Sequence, residues 1–236
     1  MNKLNCVIAK DENQIAQLLD SGFFRIISGG TSILRESNPF TGNFAKHYDG
    51  FIDISSCKDL IYIYLDGTII KIGSATNFST ILNSTVIKTH VPMLLYACKN
   101  IGSIQTRNRA TIGGHVVSEF NGDALTALYA LEAVVKIKAI SGITRTAPIS
   151  DIAMNSNEFI TEIAIPLQSG DGSFAKFPFS THDRINIAYI KKHNSMFMGG
   201  IDKKPIKITE SFTPENIQDP YRIHIAKELI KEMKTV

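Results

Sequence analysis

Ile101-Gly102-Ser103-Ile104-Gln105-Thr106-Arg107-Asn108-Arg109-Ala110-Thr111-Ile112-Gly113-Gly114 sets two arginines, two threonines and a pair of adjacent glycines in one short span, with His115 directly after it. Consecutive glycines let a backbone approach a ligand closely and turn its N–H groups towards an anion. The Thr111 hydroxyl adds a donor suited to a pyrophosphate. A second stretch of the same character lies upstream, Ile27-Ser28-Gly29-Gly30-Thr31-Ser32-Ile33-Leu34. Two such loops can face one ligand, or each can be a tight turn that holds none. If they face one ligand, valine at Gly30 or Gly113 is expected to block the backbone approach. Neither loop contains GxGxxG, and GxxxxGK[ST] is absent from the chain. A nucleotide held here therefore belongs to a fold other than the two that carry those fingerprints.

The rest of the chain narrows the classes. Its 236 residues are enough for one substantial core or two smaller ones, and 44% hydrophobic content is that of a globular protein. No apolar run reaches the roughly 20 residues of a membrane-spanning helix, and Met1-Asn2-Lys3-Leu4-Asn5 lacks the basic-then-apolar order of a signal peptide, so a cytoplasmic location is expected. Cys6, Cys57 and Cys98 are too far apart for a CxxC knuckle, which points to reduced, mostly buried thiols. The six histidines show no HExxH spacing, so no metal site is expected. The net charge is +3, and the C-terminal lysines are interspersed with acidic residues rather than aromatics. That is the pattern of a solvated face, not of a nucleic-acid surface.

Periodicity predicts strand, helix, strand over the first 27 residues. Asp11 and Gln14 form a capping box and Gly22 is the helix stop. Strands are expected at Phe51–Ile54 and Phe159–Ile165, and hairpins around Asp66-Gly67 and Ser141-Gly142. Helices are expected at 77–83, at 91–101 with Pro92 in the first turn, and at 123–133 as an amphipathic helix. After the polar stretch 168–173, the best linker candidate, come four strand-like stretches and a terminal helix from Tyr221 to Met233. Strands and helices mix without strict β-α-β alternation, which favours an α+β fold.

The loop at residues 27–34 resembles the first flavin motif of the FAD-binding subunits of molybdenum hydroxylases, A-G-G-T-D/S-L-L. The stretch 101–114 closely resembles the second, I-G-x-x-Q-x-R-N-x-A-T-I-G-G-N. The resemblance continues in order through Asp123-Ala124-Leu125, Ile165-Pro166, Phe174-Ala175-Lys176-Phe177, Gly199-Gly200 and Tyr221-Arg222. It implies a two-part FAD-binding domain over residues 1–168, of the type shared with UDP-N-acetylenolpyruvylglucosamine reductase and vanillyl-alcohol oxidase. A small, trimmed α+β C-terminal domain would follow over 169–236. The implied role is electron transfer from [2Fe–2S] clusters on an iron–sulfur small subunit, through FAD, to an external acceptor. By the same resemblance the molybdenum cofactor would lie on a large subunit and two [2Fe–2S] clusters on the small one, and this chain lacks the cysteines for either cluster. A stand-alone FAD-dependent reductase and a flavin-free assembly subunit are the alternatives.

The same resemblance implies the cofactor-binding residues: Ile26, Ile27, Ser28, Gly29, Gly30, Thr31, Ser32 and Ile33 in the first loop, and Thr111, Gly113, Gly114 and His115 in the second. Asn100, Asp123, Ile160 and Lys176 complete the set, Ile160 matching a residue against the flavin and Lys176 one near its ring. Simple alternatives stand beside two of them: core packing for Ile160 and an N-cap for Asp123. His115 departs from the family's asparagine, and an imidazole beside a phosphate is expected to be protonated, unless it packs in the loop and stays neutral. The spacing from His115 to Asp123 is one residue shorter than usual. An arginine and an aspartate of the family pattern are missing after Phe177.

Overall fold

The computed structural model describes residues 5–33, 48–118, 122–167, 172–177, 185–209, 217 and 219–235. Leu34, most of the linker candidate and the stretch after Phe177 lie outside the described residues. The architecture is α+β, built on three sheets.

The first sheet is small and parallel: β1 (Asn5–Ile8), β2 (Phe24–Ile27) and β3 (Gly50–Asp53), in the order β1-β3-β2. Its helix, Glu12–Ser21, is capped as its sequence demands, with Asp11 Oδ1 accepting from Gln14 N at 2.8 Å. The reciprocal bond of the capping box is displaced by one residue, since Lys10 N donates to Gln14 Oε1. Gly22 ends the helix in an extended conformation rather than a left-handed cap. β2 is half-buried rather than buried, because only a thin layer of Ala9, Ile15, Ile52 and their neighbours lies beneath this sheet.

The second sheet is antiparallel, in the order β4-β5-β8-β6-β7, with β4 (Ile63–Asp66), β5 (Ile69–Gly73), β6 (Val134–Ala139), β7 (Thr144–Pro148) and β8 (Glu158–Pro166). Both expected hairpins are present as β4–β5 and β6–β7. One face of this sheet packs on the largest core, where Ile70, Ile72, Ile163 and Ile165 meet Phe78, Leu94, Ile112 and Leu128 from the helices. A salt bridge of 2.9 Å from Lys138 to Glu12 ties the sheet to the N-terminal lobe.

The third sheet, β12-β11-β10-β9, is also antiparallel and consists of β9 (Gly172–Lys176), β10 (Asn186–Ile190), β11 (Ser195–Gly199) and β12 (Ile206–Ile208). The terminal helix Pro220–Thr235 covers one face through Ile225, Leu229 and Met233. Ala188 and Ile190 from β10 belong to the large core and Ile187 to the smaller one, as alternation along a strand requires. Among the described residues no helix is long and apolar enough to cross a membrane.

Three helices corrected the sequence reading. Thr85–His90 and Ile104–Arg109 are short and carry little periodicity, so propensity alone does not reveal them. Ile112–Val117 is the more consequential, because the second glycine stretch enters a helical turn rather than an open loop. The helix expected to be amphipathic, Asp123–Ala130, is buried along its whole length, packed on β10 and β11 of the third sheet and on the helix Pro92–Lys99. A helix buried on all sides is apolar all round.

Candidate functional site

The two glycine stretches meet. Each reaches the site from a different lobe: Ser28–Ser32 leaves β2 of the small sheet, and Thr111–His115 leaves the helix Ile104–Arg109. The contact is backbone to backbone. A Cβ on Gly29 would stand 2.0 Å from the Arg109 carbonyl oxygen and 2.9 Å from Ala110 Cα. Arg109 Nε in turn donates to Gly29 O at 3.4 Å. Arg109 thus joins the loops, a role that its place in the motif does not announce.

The second stretch is stitched into the large domain. Phe78 N donates to Ala110 O, Ile112 N to Thr76 O and Gly113 N to Ser74 O, at 2.9 to 3.1 Å. Gly113 is needed there because a Cβ would come within 2.7 Å of Ser74 O. Its hydrogen atom faces the protein and not a ligand, so valine at Gly113 would break the fold before it blocked any cofactor. Gly30 is the opposite case, with φ +70 and nothing near a would-be Cβ. It is glycine for its backbone conformation.

Arg107 explains the rigid part of the motif. Its Nη1 donates to the carbonyls of Ile101 at 2.8 Å, Gly102 at 2.7 Å and Lys99 at 3.4 Å, satisfying acceptors beyond the end of the helix Pro92–Lys99. Asn108 is held by the Ser79 hydroxyl. These residues shape the approach of the second stretch; they do not line the site.

Between the stretches lies a groove of about 110 Å³, walled by Ile26, Gly29 to Ile33, Thr111, Gly114 and His115, with Arg25 at one side. Among the described residues the backbone N–H groups of Gly29, Gly30 and Thr31 find no acceptor. Thr111 Oγ1 and Ser28 Oγ are buried without a hydrogen-bond partner. A buried hydroxyl left unpaired costs about 1–3 kcal/mol, so these groups fit a ligand rich in acceptor oxygens.

His115 corrects the expectation of a charged imidazole. Its ring lies edge-on to Phe78, with centroids 5.3 Å apart, and against the backbone of Gly122. Burial pushes its pKa down to about 4, against a weaker opposing pull from the Gly122 carbonyl. The ring is neutral at physiological pH, and its unpartnered Nε2 is buried.

A second cluster forms where the third sheet meets the central helix. Asp123, 6% exposed, accepts from Lys176 Nζ at 2.7 Å and from Asn186 Nδ2 at 3.0 Å. Lys176 Nζ also reaches Asn100 O at 3.5 Å. Asn100, Asp123 and Lys176, far apart in sequence, are thus neighbours. Asp123 is not the N-cap, a position taken by Gly122; it is the first helical residue and spends its carboxylate on Lys176 and Asn186. Asn186 Nδ2 holds the other carboxylate oxygen, and no local pattern in the sequence announces that part. Ile160 is 5% exposed within the large core, opposite Ile137 on β6, and its packing needs no ligand.

Comparison with known proteins fits this arrangement. Residues 2–168 match the family of the FAD binding domain in molybdopterin dehydrogenase, and the chain belongs to that family. It is 31% identical over 176 residues to the nicotinate dehydrogenase FAD-subunit of Eubacterium barkeri, covering 70% of this chain and 58% of the relative. It is 29% identical over 150 residues to the carbon monoxide dehydrogenase medium chain of Hydrogenophaga pseudoflava, covering 60% and 50%. The matched region thus spans between half and three fifths of these relatives' length. In fold the chain is similar to a chain of carbon monoxide dehydrogenase from Hydrogenophaga pseudoflava, with a TM-score of 0.81 at 20% identity over 98% of this chain and 95% of that one. A chain of quinoline 2-oxidoreductase from Pseudomonas putida 86 gives 0.79 at 16% identity, over 96% and 94%.

Proposed function

We propose that the chain binds FAD non-covalently with its pyrophosphate across the groove between Ser28–Ser32 and Thr111–His115, as the flavin subunit of a molybdenum hydroxylase. The observation that carries this reading is the buried, unpartnered Thr111 hydroxyl in the groove wall, opposite the free N–H groups of Gly29, Gly30 and Thr31. Phosphate oxygens satisfy all of these donors at once. Ile26, Ile27 and Ile33 support the first loop, Ser28 and Ser32 add hydroxyls, and Gly113 and Gly114 hold the second stretch close. His115 contributes as a neutral ring.

Asn100, Asp123 and Lys176 form the second contact region, where the ammonium and amide groups suit the polar edge of an isoalloxazine ring. Asp123 fixes Lys176, and Asn186 fixes Asp123. Ile160 supports the cofactor through the core. The domain boundary near residue 168 sets the flavin domain against the smaller C-terminal unit. Bound FAD would supply a carrier that can be loaded one electron at a time and discharged singly or as a pair. The residues here bind it, orient it and exclude water from its diphosphate. Electrons would come from [2Fe–2S] clusters on a small subunit, with molybdenum on a large subunit, and would pass to an external acceptor.

The full chain is expected to purify yellow, with a flavin absorption band; once that flavin is reduced with dithionite it should pass its electrons to an artificial acceptor, and the chain should not oxidise an aldehyde or purine. Thr111→Val should weaken FAD by about tenfold, the equivalent of about 1.4 kcal/mol for a lost hydroxyl donor. A folded chain that takes up no FAD in a calorimetric titration would exclude this reading in favour of an assembly subunit. Turnover of an organic substrate by the chain alone would favour the stand-alone reductase.

A further inference from the structure

From Gly67 to Ser118 the chain has no aspartate or glutamate, yet it has five basic residues there, Lys71, Lys88, Lys99, Arg107 and Arg109. With 25 basic and 22 acidic residues in all, everything outside this stretch is net negative by two. The protein's positive charge therefore comes from one segment. The C-terminal lysines differ, because acids stand among them, as in Lys227-Glu228 and Lys231-Glu232.

Most of the acid-free segment folds into one layer of four successive helices, Phe78–Asn83, Thr85–His90, Pro92–Lys99 and Ile104–Arg109, packed on one another. Phe78, Ile81, Ile87 and Leu94 turn inward to the large core. The side turned from the core exposes Lys88, Lys99 and Arg109 together with two large apolar side chains, Tyr96 at 56% and Ile104 at 65%. Lys71 is paired with Asp66, but among the described residues no carboxylate meets Lys88, Lys99, Arg107 or Arg109. Lys99 Nζ instead lies 5.2 Å from the centroid of the Tyr96 ring. The face ends at both proposed cofactor regions. At one end Arg109 Nε donates to Gly29 O at 3.4 Å, and at the other Asn100 O accepts from Lys176 Nζ at 3.5 Å.

We propose that this helical face docks an acidic, one-electron carrier protein that serves as the external acceptor, an inference that rests on the FAD reading above. Unpaired cations around an apolar centre steer an acidic surface into place and give it something to bury. The face suits a transient partner. Weak electron-transfer encounters bury less than about 1,200 Å² in total, whereas permanent subunit contacts are larger and more apolar than two exposed side chains amid lysine, arginine and asparagine. A nucleic acid would want several open rings for its bases, and here the one exposed aromatic residue is already covered by Lys99. A carrier seated between the two ends lies alongside the whole proposed cofactor path. Discharging two-electron-reduced FAD takes two oxidised carriers, each gaining one electron, while the flavin's protons pass to water.

The probe is the soluble domain of cytochrome b5, an acidic one-electron haem protein, with basic cytochrome c as the contrast. Its binding to the FAD-loaded chain is measured by calorimetry, and its reduction is followed after the flavin has been reduced with stoichiometric dithionite. Both are compared with the Lys88→Glu/Lys99→Glu double variant and with Ile104→Ala, all three being exposed positions. At an ionic strength of about 10 mM the double variant is expected to bind and reduce cytochrome b5 about tenfold more weakly and slowly, and at about 0.5 M salt the difference should shrink below about twofold. Ile104→Ala should cost about threefold at either salt, and a small neutral acceptor should be reduced equally by all three proteins. Cytochrome b5 binding that ignores the double variant at unchanged melting temperature overturns the inference, as does tighter binding of cytochrome c. Tighter binding of a single-stranded oligonucleotide or of phosphatidylglycerol vesicles to the same face overturns it too. So does hydrogen-exchange protection of residues 92–109 in the native complex, since that would mean a permanent subunit covers them. Chain that takes up no FAD removes the FAD reading itself, whereas FAD uptake with variant-insensitive cytochrome b5 binding removes only the docking site.

Discussion

The two glycine pairs look alike in the sequence and do different work in the molecule. Gly29-Gly30 sits in an irregular turn, where Gly30 takes a left-handed conformation and leaves its N–H in the groove. Gly113-Gly114 sits in the first turn of a helix, where Gly113 hands its N–H to Ser74. Each pair also has one member whose missing side chain lets two backbones touch: Gly29 against Arg109, and Gly113 against Ser74. A glycine pair therefore marks close backbone approach, but the neighbour may be the protein's own chain as readily as a phosphate.

Substituting the glycines by alanine separates these roles. Gly29→Ala should have the largest effect, because its Cβ would overlap the Arg109 carbonyl and push the loops apart. A stability loss of about 3 kcal/mol, the upper end for overpacking, is expected by chemical denaturation, with FAD uptake lost as well. An unchanged midpoint would mean that the loops do not meet as described. Asp123→Ala tests the second contact region and should cost about 2 kcal/mol. That is less than for a fully buried pair, because the Lys176 side chain is 21% exposed and water screens it. Asp123→Asn should recover part of the loss, since its amide keeps an acceptor for Lys176.

His115 gives a pH-dependent comparison of the two stretches, as the first contains no titrating ring. With its folded-state pKa lowered to about 4 from an ordinary 6.5, the unfolded chain takes up a proton where the folded chain does not. The stabilisation from the neutral ring is thus complete above pH 6.5 and falls away as pH drops towards 4. At pH 5 the loss is on the order of 2 kcal/mol. His115→Asn should flatten this acid limb in denaturation curves taken from pH 7 to pH 4.5. A limb of unchanged slope would show that another group carries it. Between pH 6.5 and 8, FAD affinity should be flat for both proteins, whereas an imidazolium contact would make it fall.

The smallest effect is expected at Gly30. Alanine there meets no atom and pays only for its left-handed backbone, about 1 kcal/mol. FAD retention should survive in Gly30→Ala where Gly29→Ala loses it. Equal loss of FAD in the two variants would mean that a Cβ at Gly30 meets the cofactor itself.

Much of this was legible in the sequence. The strand at Phe159–Ile165, the turns at Asp66-Gly67 and Ser141-Gly142, and Asp11 as a cap are local signals, and local geometry obeyed them. The motif Ile101–Gly114 also marked a stretch where backbones meet, because a Cβ at Gly113 would collide with Ser74. The sequence could not say which way each glycine faces, since Gly113 and Gly30 differ only in what surrounds them. The neutrality of His115 is likewise a property of its burial against Phe78 and Gly122, which are 37 and 7 residues away along the chain. Asp123 reads as a helix cap until β9 and β10 bring Lys176 and Asn186 to it. The sequence by itself determined the elements, the position of the glycine stretches and the donors on offer, because these depend on neighbours a few residues apart. Only the tertiary structure decided which donors stay free, which charges pair and which ring stays neutral, because each of these depends on atoms that folding brings together from distant parts of the chain.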